Sequence, residues 1–560
     1  MTIQNSKLIP IMKSCFYNYF LFLLLFSAFQ TQSYGQNQPL VLIKNGKMLD
    51  VIKEGRSWRE KDGAVLGRGK SSTLYAAKYI EEGDFTMKVK MTLEEIDKTT
   101  AHFWFFNNQF GFDSSYDKEQ NYNRLFMHSP VTDEFHYFEQ AEDYVQAGQP
   151  FDFEVRHRGQ ETHFLINNKK VATIPDSLLK QPFVGSIAFR PLRNSIKIYD
   201  WTFDGNYSDF PDNDYVFKRG EAGYNCFRIP SIVQCQNGHL LAFAEGRQNS
   251  CVDNGDVDIV MKRSEDGGKS WTELSVVWAD STNTCTYPAP IVEQSTGKII
   301  LLSIWNHGED DFKQFFDGTG KGSRLIFQQE SYDNGKTWSE PKEITTSVKK
   351  DNWTYYGLGY TSFTQLQHGP HAGRLVQPAH HSKDGADTSY VHLLYSDDLG
   401  ENWKIGGICK KSGVNETEIV ERADGSLLLI MRHDKIYERQ RRAAYSMDGG
   451  QDIDFDHLIN GLDGFICQTS LVAVPQKDKE HYLLQSSPAN FYAREQLMLR
   501  LSKDGGTHWE DVESIYKGYA AYSDLIHLPD GKIGCLFEAG EIFPNDGIVF
   551  KVLEWESNAP

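Results

Sequence analysis

A short motif, Ser-x-Asp-x-Gly-x-Ser/Thr-Trp, recurs through the second half of this 560-residue chain. It is intact at Ser264–Trp271 and Ser331–Trp338, has one altered position at Ser396–Trp403 and Ser502–Trp509, and is degenerate at Ser446–Gly450. The copies start 67, 65, 50 and 56 residues apart. A repeat of this length, with several apolar strands between tight turns, predicts a β-propeller with one motif in each blade. Five motifs and a last blade closed by the carboxyl-terminal strand predict six blades.

Residues 36–206 carry a different β-rich pattern. Apolar and polar residues alternate in several short runs, for example at 85–91, 161–166 and 196–201. This alternation is typical of antiparallel sheets with one buried and one solvated face. The region therefore predicts a β-sandwich that resembles concanavalin-like jelly rolls, and both carbohydrate binding and a packing role remain open for it. A short polar stretch ends this domain, so residues 207–560 form the propeller domain.

The first 35 residues read as a secretory signal peptide. Lys7 and Lys13 precede an apolar run of 14 residues from Phe16 to Phe29, and small residues stand before Gln36. A positive region, a short apolar region and small residues at the cleavage point are typical of such peptides. The run is shorter than the roughly 20 residues that a membrane-spanning helix needs, and no later stretch predicts a membrane span. We therefore expect an exported protein, either periplasmic, cell-surface or secreted.

Charge and cysteine content limit the classes of partner. The formal net charge is -18 and no basic stripe offsets it, so we expect no nucleic-acid partner. No CxxC or HExxH spacing occurs, so we expect neither a metal nor a cofactor. Seven cysteines follow the signal peptide, an odd number that does not indicate a disulfide framework. We expect mostly buried thiols, with at most one pair, near Cys226 and Cys235 or near Cys251 and Cys285.

One arginine stands out because its neighbours are apolar. Arg228 lies between Phe227 and Ile229 in a segment that otherwise reads as a buried strand. Burying a guanidinium is costly unless an anion meets it. Because the chain as a whole is acidic, an anionic ligand must be bound by a local group of arginines. We therefore expect Arg228 to contact a carboxylate of the substrate.

The Phe-Arg-Ile-Pro segment followed by the repeated turns resembles the exo-sialidases (neuraminidases) of the bacterial and animal glycoside hydrolase family, over residues 215–555. The resemblance implies removal of terminal α-linked sialic acid from sialylated glycoproteins, glycolipids and oligosaccharides, without a cofactor. It also implies that Arg228, Arg432 and Arg494 hold the sugar carboxylate, because guanidinium groups offer paired planar donors. Arg247, in an Ala-Glu-Gly-Arg run, is implied as a fourth substrate contact.

The same resemblance implies a tyrosine nucleophile with a glutamate beside it. Tyr522, in Ala-Tyr-Ser-Asp-Leu, matches the tyrosine motif of the family, and sialidases are known for a tyrosine nucleophile. A neutral phenol avoids the like-charge repulsion that a carboxylate nucleophile would meet at the acidic sugar. A phenol needs a base to attack at neutral pH. Glu416, in an Asn-Glu pair, is implied as that base, and Glu418 remains the alternative.

The general acid/base is implied to be an aspartate on a loop. Asp253 lies 25 residues after Arg228, and Asp256 and Asp258 compete with it. These residues together imply hydrolysis with retained configuration. A trans-sialidase would share every residue named, whereas a non-catalytic sialic-acid-binding propeller would keep the arginines and lose the tyrosine, the glutamate or the acid.

Overall fold

The chain is built almost entirely from β-strands in a computed structural model. The structure describes residues 38–54, 57–69, 72–94, 101–106, 109–114, 123–129, 134–138, 145–179, 182–191, 195–359, 363–383, 388–433, 439–476, 481–541 and 543–554. Within these ranges the chain forms 41 strands, two short α-helices and three 3-10 turns. The prediction of an all-β protein is confirmed. The predicted signal peptide, residues 1–35, lies outside the described residues.

The first seventeen strands form two sheets that share one core. They are β1 (Leu40–Lys44), β2 (Lys47–Met48), β3 (Val51–Glu54), β4 (Arg59–Lys61), β5 (Ala64–Arg68), β6 (Thr73–Ile80), β7 (Phe85–Leu93), β8 (Ala101–Phe105), β9 (Phe110–Ser114), β10 (Asn123–Ser129), β11 (Glu134–Phe138), β12 (Phe151–Arg158), β13 (Glu161–Ile166), β14 (Lys169–Pro175), β15 (Gly185–Pro191), β16 (Ser195–Asp204) and β17 (Tyr207–Ser208).

These two amino-terminal sheets pack against each other through aromatic side chains. One has the order β14-β13-β12-β7-β16-β1-β2, with β5 on β16 and β4 on β5, and the other has the order β11-β10-β9-β8-β15-β6-β17, with β3 on β6. Phe153 of the first sheet meets Phe105 of the second at 5.1 Å between ring centroids. Trp201 and Phe189 make a similar contact at 5.1 Å. Alternate residues of both sheets therefore fill one core, as the alternating sequence pattern predicts.

The remaining strands form four further sheets. They are β18 (Tyr215–Lys218), β19 (Cys226–Gln234), β20 (Leu240–Arg247), β21 (Val257–Ser264), β22 (Ser275–Trp278), β23 (Thr284–Val292), β24 (Ile299–Asn306), β25 (Leu325–Ser331), β26 (Lys342–Glu343), β27 (Trp353–Leu358), β28 (Thr364–Gln365), β29 (Leu375–Lys383), β30 (Tyr390–Ser396), β31 (Lys404–Ser412), β32 (Val414–Glu421), β33 (Leu427–His433), β34 (Arg441–Ser446), β35 (Asp454–Ile459), β36 (Ser470–Pro475), β37 (His481–Pro488), β38 (Glu495–Ser502), β39 (Glu510–His527), β40 (Ile533–Gly540) and β41 (Gly547–Leu553).

The pairing divides these strands into antiparallel groups. One sheet has the order β18-β41-β40-β39-β38-β37-β36, and the 18-residue strand β39 changes partner at Tyr519, from β38 to β40. Another contains β19 to β26, and its two halves meet at a single parallel pair, Val257 with Thr284. The strands β27 to β31 and β32 to β35 form the other two sheets. Because β19 contacts both β23 and β39, and β32 contacts β29 and β36, neighbouring groups meet through strands that carry the predicted site residues.

The repeated motifs form tight turns held by their own polar side chains. Asp266 Oδ1 accepts hydrogen bonds from the backbone N–H groups of Lys269 and Ser270 at 3.1 and 2.9 Å. Ser264 Oγ donates to the same carboxylate at 2.8 Å and accepts from Gly268 N at 2.8 Å. Equivalent serine–aspartate contacts occur at Ser331 and Asp333, Ser396 and Asp398, Ser446 and Asp448, and Ser502 and Asp504. The motif aspartates therefore stabilise turns, as expected.

Helices contribute little to the described part of the chain. The two α-helices are α1 (Phe312–Asp317) and α2 (Thr345–Val348), and the 3-10 turns are Asp176–Leu178, Glu221–Gly223 and Gly369–His371. Among the described residues, neither helix has the length and apolar character that crossing a bilayer requires. Helix α1 matters for the site because its Phe312, Phe315 and Phe316 line the same cavity as the predicted site residues.

Candidate active site

One cavity of about 620 Å³ is lined by all seven residues that the sequence singled out. They are Arg228, Arg247, Asp253, Glu416, Arg432, Arg494 and Tyr522. Arg228 lies on β19, Glu416 and Arg432 lie on the paired strands β32 and β33, and Tyr522 lies on β39. Residues nearly 300 positions apart in sequence therefore line one cavity, and its volume is typical of ligand pockets.

Tyr522 and Glu416 are in direct contact inside this cavity. The phenol of Tyr522 donates a short hydrogen bond to Glu416 Oε1. Arg432 Nη1 donates to Glu416 Oε2 at 2.7 Å and to Tyr522 Oη at 3.2 Å. The side chains of Tyr522 and Glu416 are 5% and 8% exposed, so this contact is screened only weakly by water. One arginine therefore holds both partners of a phenol–carboxylate pair.

The environment fixes where the proton of this pair resides. Burial raises the pKa of the Tyr522 phenol well above its ordinary value, and the adjacent Glu416 carboxylate raises it further. Burial alone would raise the pKa of Glu416, but the charge of Arg432 and the hydrogen bonds from Tyr522 and Arg432 hold it below its ordinary value. The resting pair is therefore a neutral phenol beside a carboxylate that is able to accept its proton.

A buried carboxylate that the sequence analysis missed, Glu538, orients Arg228. Its Nε donates to Glu538 Oε1 at 2.6 Å, and Glu538 is fully buried. The same oxygen accepts from Ile229 N at 3.0 Å, and Glu538 Oε2 accepts from Tyr522 N at 3.3 Å. Ile229 has a φ of 58°, which is strained for a β-branched residue. Glu538 thus stabilises a backbone distortion that turns Arg228 into the cavity.

Two arginines lie against the ring of Tyr522. The guanidinium carbons of Arg228 and Arg494 are 5.2 and 5.6 Å from its ring centroid. Because Arg432 donates a hydrogen bond to the phenol oxygen, three positive groups surround the Tyr522 side chain. Such a group of cations is unfavourable unless anions compensate it, and three planar donors suit a carboxylate.

Arg247 is buried next to Asp253. Its Nε and Nη2 donate to Glu245 Oε2 at 3.0 and 2.6 Å, and its Nη1 donates to Asp253 Oδ1 at 2.8 Å and to the carbonyl of Cys251 at 2.7 Å. Glu245 Oε1 in turn accepts from Thr286 and from Tyr287 N. Arg247 therefore connects a buried carboxylate to the loop that carries Asp253.

The Asp253 carboxylate faces solvent at the edge of the cavity, with 86% of its side chain exposed. Loss of hydration near the cavity favours the neutral acid, but the charges of Arg247 and Arg228 outweigh it and lower the pKa of Asp253 below its ordinary value. Solvent screens this effect because the group is largely exposed. The two competing aspartates lie elsewhere: Asp258 accepts a hydrogen bond from Tyr224 at 2.6 Å, and Asp256 is absent from the cavity lining.

The alternative glutamate also lies elsewhere. Glu418 is 1% exposed and accepts a hydrogen bond from Gln468 at 3.4 Å, outside the cavity lining. Residues two positions apart on a regular strand point to the same face, but the register shift between Val414 and Thr417 allows Glu416 to face the cavity while Glu418 faces the interior. Of the two, Glu416 is therefore the one placed to act on Tyr522.

A disulfide attaches the Asp253 loop to β19. It joins Cys226 to Cys251, with 5.4 Å between their Cα atoms. The predicted pairings, Cys226 with Cys235 or Cys251 with Cys285, are wrong: Cys235 and Cys285 are buried thiols. The physical reason is strand register, because Cys226 pairs with Arg247 across β19 and β20, and the loop after Arg247 returns beside it. The other three cysteines described, Cys409, Cys467 and Cys535, are buried thiols as expected.

Breaking this disulfide is expected to destabilise the protein. Cys251→Ser should lower the free energy of unfolding by about 3 kcal/mol, because the bond closes a loop in the unfolded chain. Urea unfolding with and without a thiol reductant measures the effect. Reductant should bring the wild-type protein close to the variant and leave the variant unchanged. A wild-type transition that is insensitive to reductant would contradict the assignment of the bond.

The far end of the cavity is aromatic and contains a further arginine. Arg324 is 4% exposed, donates to the carbonyl of Tyr356 at 2.9 Å, and lies 5.0 Å from the ring centroid of Tyr287 and 4.9 Å from that of Tyr355. Among the described residues, no group of three or more His, Cys, Asp and Glu side chains is arranged to hold a metal ion. The cavity lining combines arginines, carboxylates and the Tyr522 phenol.

Comparison with known proteins identifies the family of the chain. The profile of the BNR repeat-like domain matches residues 238–535, more than half of the chain. A sialidase of Micromonospora viridifaciens is 31% identical over 334 residues, which are 57% of this chain and 51% of that protein. A sialidase of Bacteroides fragilis is 27% identical over 345 residues, 57% of this chain and 61% of that protein. The chain belongs to the BNR-repeat sialidase family. It spans about half to three fifths of the length of these two curated relatives.

Solved structures share the fold of this family member. A Hadza microbial sialidase, Hz136, matches with a TM-score of 0.55 at 20% identity, over 85% of this chain and 94% of the other. A leech intramolecular trans-sialidase matches with a TM-score of 0.53 at 15% identity, over 86% and 97%. At these identities the likeness is one of fold, and it extends over most of both chains.

Sequence reasoning missed two carboxylates of this family site. Glu538 lies in the otherwise apolar strand β40, and Glu245 lies between Ala244 and Gly246 on β20. The signal was present, because a lone charge in an apolar strand is the feature that singled out Arg228. Applied to acidic residues, the same criterion finds Glu538, whereas Glu245 shares its strand with Arg247.

Proposed function

We propose that this chain is an exo-α-sialidase that hydrolyses terminal α-linked sialic acid from glycoproteins, glycolipids and oligosaccharides, with retained configuration, through Tyr522 as the nucleophile. One observation carries the proposal: the Tyr522 phenol donates to Glu416 in a cavity where Arg228, Arg432 and Arg494 converge. The relatives in the family are sialidases.

The three arginines bind the sugar carboxylate. Arg228 and Arg494 flank the Tyr522 ring and Arg432 touches its oxygen, so a carboxylate bound among them brings the attached anomeric carbon close to the phenol. The arginine charges also favour the anionic sugar over a neutral one. Binding therefore orients the substrate for attack.

The reaction then has two steps. In the first, Tyr522 Oη attacks the anomeric carbon as Glu416 accepts the phenol proton, while Asp253 protonates the oxygen of the departing glycan. In the second, Asp253 removes a proton from water, the water oxygen bonds to the anomeric carbon, and the bond to Tyr522 breaks as Glu416 returns the proton. Two displacements at one carbon retain its configuration.

The pH dependence tests the role of Asp253. An acid must be protonated to donate, so kcat/KM should be highest below its pKa and fall as pH rises through it. That pKa is lowered by Arg247 and Arg228, so the fall should begin in the acidic range. A bound substrate carboxylate compensates the arginine charges and raises the pKa, so the fall in kcat should lie at higher pH. Steady-state rates against pH measure both.

Asp253→Asn is the matched variant for this test. It should remove the fall in kcat/KM with rising pH and reduce kcat/KM for sialyllactose by about 10² to 10⁴-fold, the usual contribution of general acid–base catalysis. The decrease in kcat/KM should be much smaller for an umbelliferyl sialoside, because its leaving group needs little protonation. If kcat/KM of Asp253→Asn fell with rising pH as it does in the wild type, the assignment would be contradicted.

The architecture we propose is a six-bladed β-propeller, residues 207–560, preceded by a concanavalin-like jelly roll, residues 36–206. Support comes from the largely antiparallel sheets that β18 to β41 form, from the pairing of β18 with β41, and from the contacts of β19 with both β23 and β39. We also propose export by a signal peptide at residues 1–35. The Cys226–Cys251 disulfide supports it, because such bonds persist mainly in oxidising compartments.

The decisive experiment is product analysis. Incubation with sialyllactose should give free sialic acid and lactose, and an added excess of lactose should not capture the sialyl group. Transfer to the added lactose would identify a trans-sialidase, and binding without any product would identify a sialic-acid-binding protein. An unsaturated sialic acid analogue should inhibit release of the umbelliferyl aglycone competitively.

A further inference from the structure

Arg494 lies in a turn that the amino-terminal sheets contact. This segment, the Arg494 turn, comprises residues 490–496, which follow β37 and include the first two residues of β38. The side chain of Asn490 organises it, since its Oδ1 accepts from Tyr492 N at 2.7 Å and from Ala493 N at 3.1 Å. The carbonyl of Arg494 accepts from Ala520 N at 2.9 Å, two residues before Tyr522. The turn is thus joined to the nucleophile strand on one side.

Glu495, next to Arg494 in sequence, is fully buried and bound by the amino-terminal sheets. Its Oε1 accepts from Ser186 N at 3.0 Å and from Ser186 Oγ at 2.9 Å, and its Oε2 accepts from Asn490 Nδ2 at 3.1 Å. A buried carboxylate is costly unless such donors satisfy it. Ser186 lies on β15, so strand β15 helps to satisfy a charge beside a carboxylate-binding arginine.

Two other residues of the Arg494 turn reach the same sheets. Gln496 Nε2 donates to Tyr79 Oη at 2.7 Å, and Gln496 has a φ of 61°, which is uncommon for a residue other than glycine. Tyr492 Oη lies 3.5 Å from the carbonyl of His128. The amino-terminal sheets therefore contact the turn at positions on both sides of Arg494.

The backbone of β15 approaches the Glu495 carboxylate so closely that only glycine fits at position 185. A Cβ atom at Gly185 would lie 2.6 Å from Glu495 Oε2, and Gly185 has a φ of 103°. Both features require glycine at this position. The backbone of β15 is thus shaped to receive the Glu495 carboxylate.

We propose that the amino-terminal sheets hold Arg494 in its substrate-binding position, with Glu495 as the positioning residue that transmits the contact. The inference deepens the proposed function and rests on it for the role of Arg494. It assigns the amino-terminal sheets a part in forming the carboxylate site, in addition to packing. Arg228 and Arg432 have carboxylate partners on the carboxyl-terminal strands, whereas the turn of Arg494 is supported from the other part of the chain.

A double-mutant cycle in the full chain tests this. Glu495→Gln should lower kcat/KM for an umbelliferyl sialoside by about ten- to hundredfold, the size of effect that a misplaced binding group produces. In an Arg494→Ala background the same change should cost less than about threefold, because the group it positions is absent. Equal losses in both backgrounds would overturn the proposal. If Glu495→Gln does not fold, as judged by its thermal transition, the cycle is run with Ser186→Ala, which should give the same non-additivity.

Hydrogen exchange separates failure of the inference from failure of the proposed function. Backbone amides of residues 490–496 should exchange faster in Ser186→Ala than in the wild type, whether or not the protein cleaves sialosides. Unchanged exchange would overturn the inference alone, whereas an inactive wild type would overturn the proposed function alone. Glu81→Gln is the control, because Glu81 contacts Lys517 across the same boundary at 3.0 Å and neither residue belongs to the turn. It should change neither kcat/KM nor this exchange, and an equal effect would overturn the inference.

Discussion

Tyr522→Phe is expected to reduce kcat by roughly a thousandfold or more, because it removes the nucleophile together with the proton that Glu416 accepts. The substitution deletes one oxygen atom and leaves the buried ring between Arg228 and Arg494. Binding of an unsaturated sialic acid analogue should therefore weaken far less than turnover. Measuring kcat with sialyllactose and the dissociation constant of the analogue separates the two effects.

Tyr516→Phe is the matched control for this change. Tyr516 lies on the same strand, is 1% exposed, and donates to the carbonyl of Gly540 at 3.3 Å. The variant should lose the two hydrogen bonds that this hydroxyl makes, to the Gly540 carbonyl and from Asn213, and little or no activity. A fluorinated sialosyl substrate that slows the second step should add one sugar mass to the peptide containing Tyr522 in the wild type. Turnover within tenfold of wild type in Tyr522→Phe, or an adduct on another residue, would contradict the assignment.

Local patterns predicted the strands well. The run 161–166 coincides with β13, and the run 85–91 falls within β7, because alternation of apolar and polar residues reports directly on a half-buried strand. The turns of the repeats were also predictable, since each depends on a serine and an aspartate two residues apart. Features encoded within ten residues were therefore accessible from the sequence.

Features that depend on register between distant strands were not accessible. Glu538 contacts Arg228, 310 positions earlier, only because β39 brings β40 beside β19. The Cys226–Cys251 pair likewise depends on the register of β19 with β20, and neither of the two pairings predicted from the sequence was correct. Family motifs identified the arginines and Tyr522, whereas their supporting carboxylates follow from the three-dimensional arrangement.

Arg228→Ala is expected to affect both activity and stability. Loss of one charged contact to the substrate carboxylate, worth about 3 to 5 kcal/mol in a buried pair, corresponds to a decrease in kcat/KM of about 10² to 10⁴-fold. The variant also leaves Glu538, which is fully buried, without its ionic partner. The free energy of unfolding should therefore fall by about 3 to 5 kcal/mol. Steady-state kinetics and urea unfolding measure the two losses.

A second substitution separates these two losses. Adding Glu538→Gln to Arg228→Ala removes the unpaired buried charge, so part of the lost stability should return while kcat/KM stays low. Arg219→Ala, an exposed arginine nine positions earlier, should change neither quantity appreciably. Should activity return along with stability in the double variant, Arg228 would act only by supporting the fold. A stable double variant that remains inactive would instead lack a contact to the substrate. The Glu538 carboxylate contacts Arg228 and the backbone N–H groups of Ile229 and Tyr522, so its effect on the cavity passes through these residues.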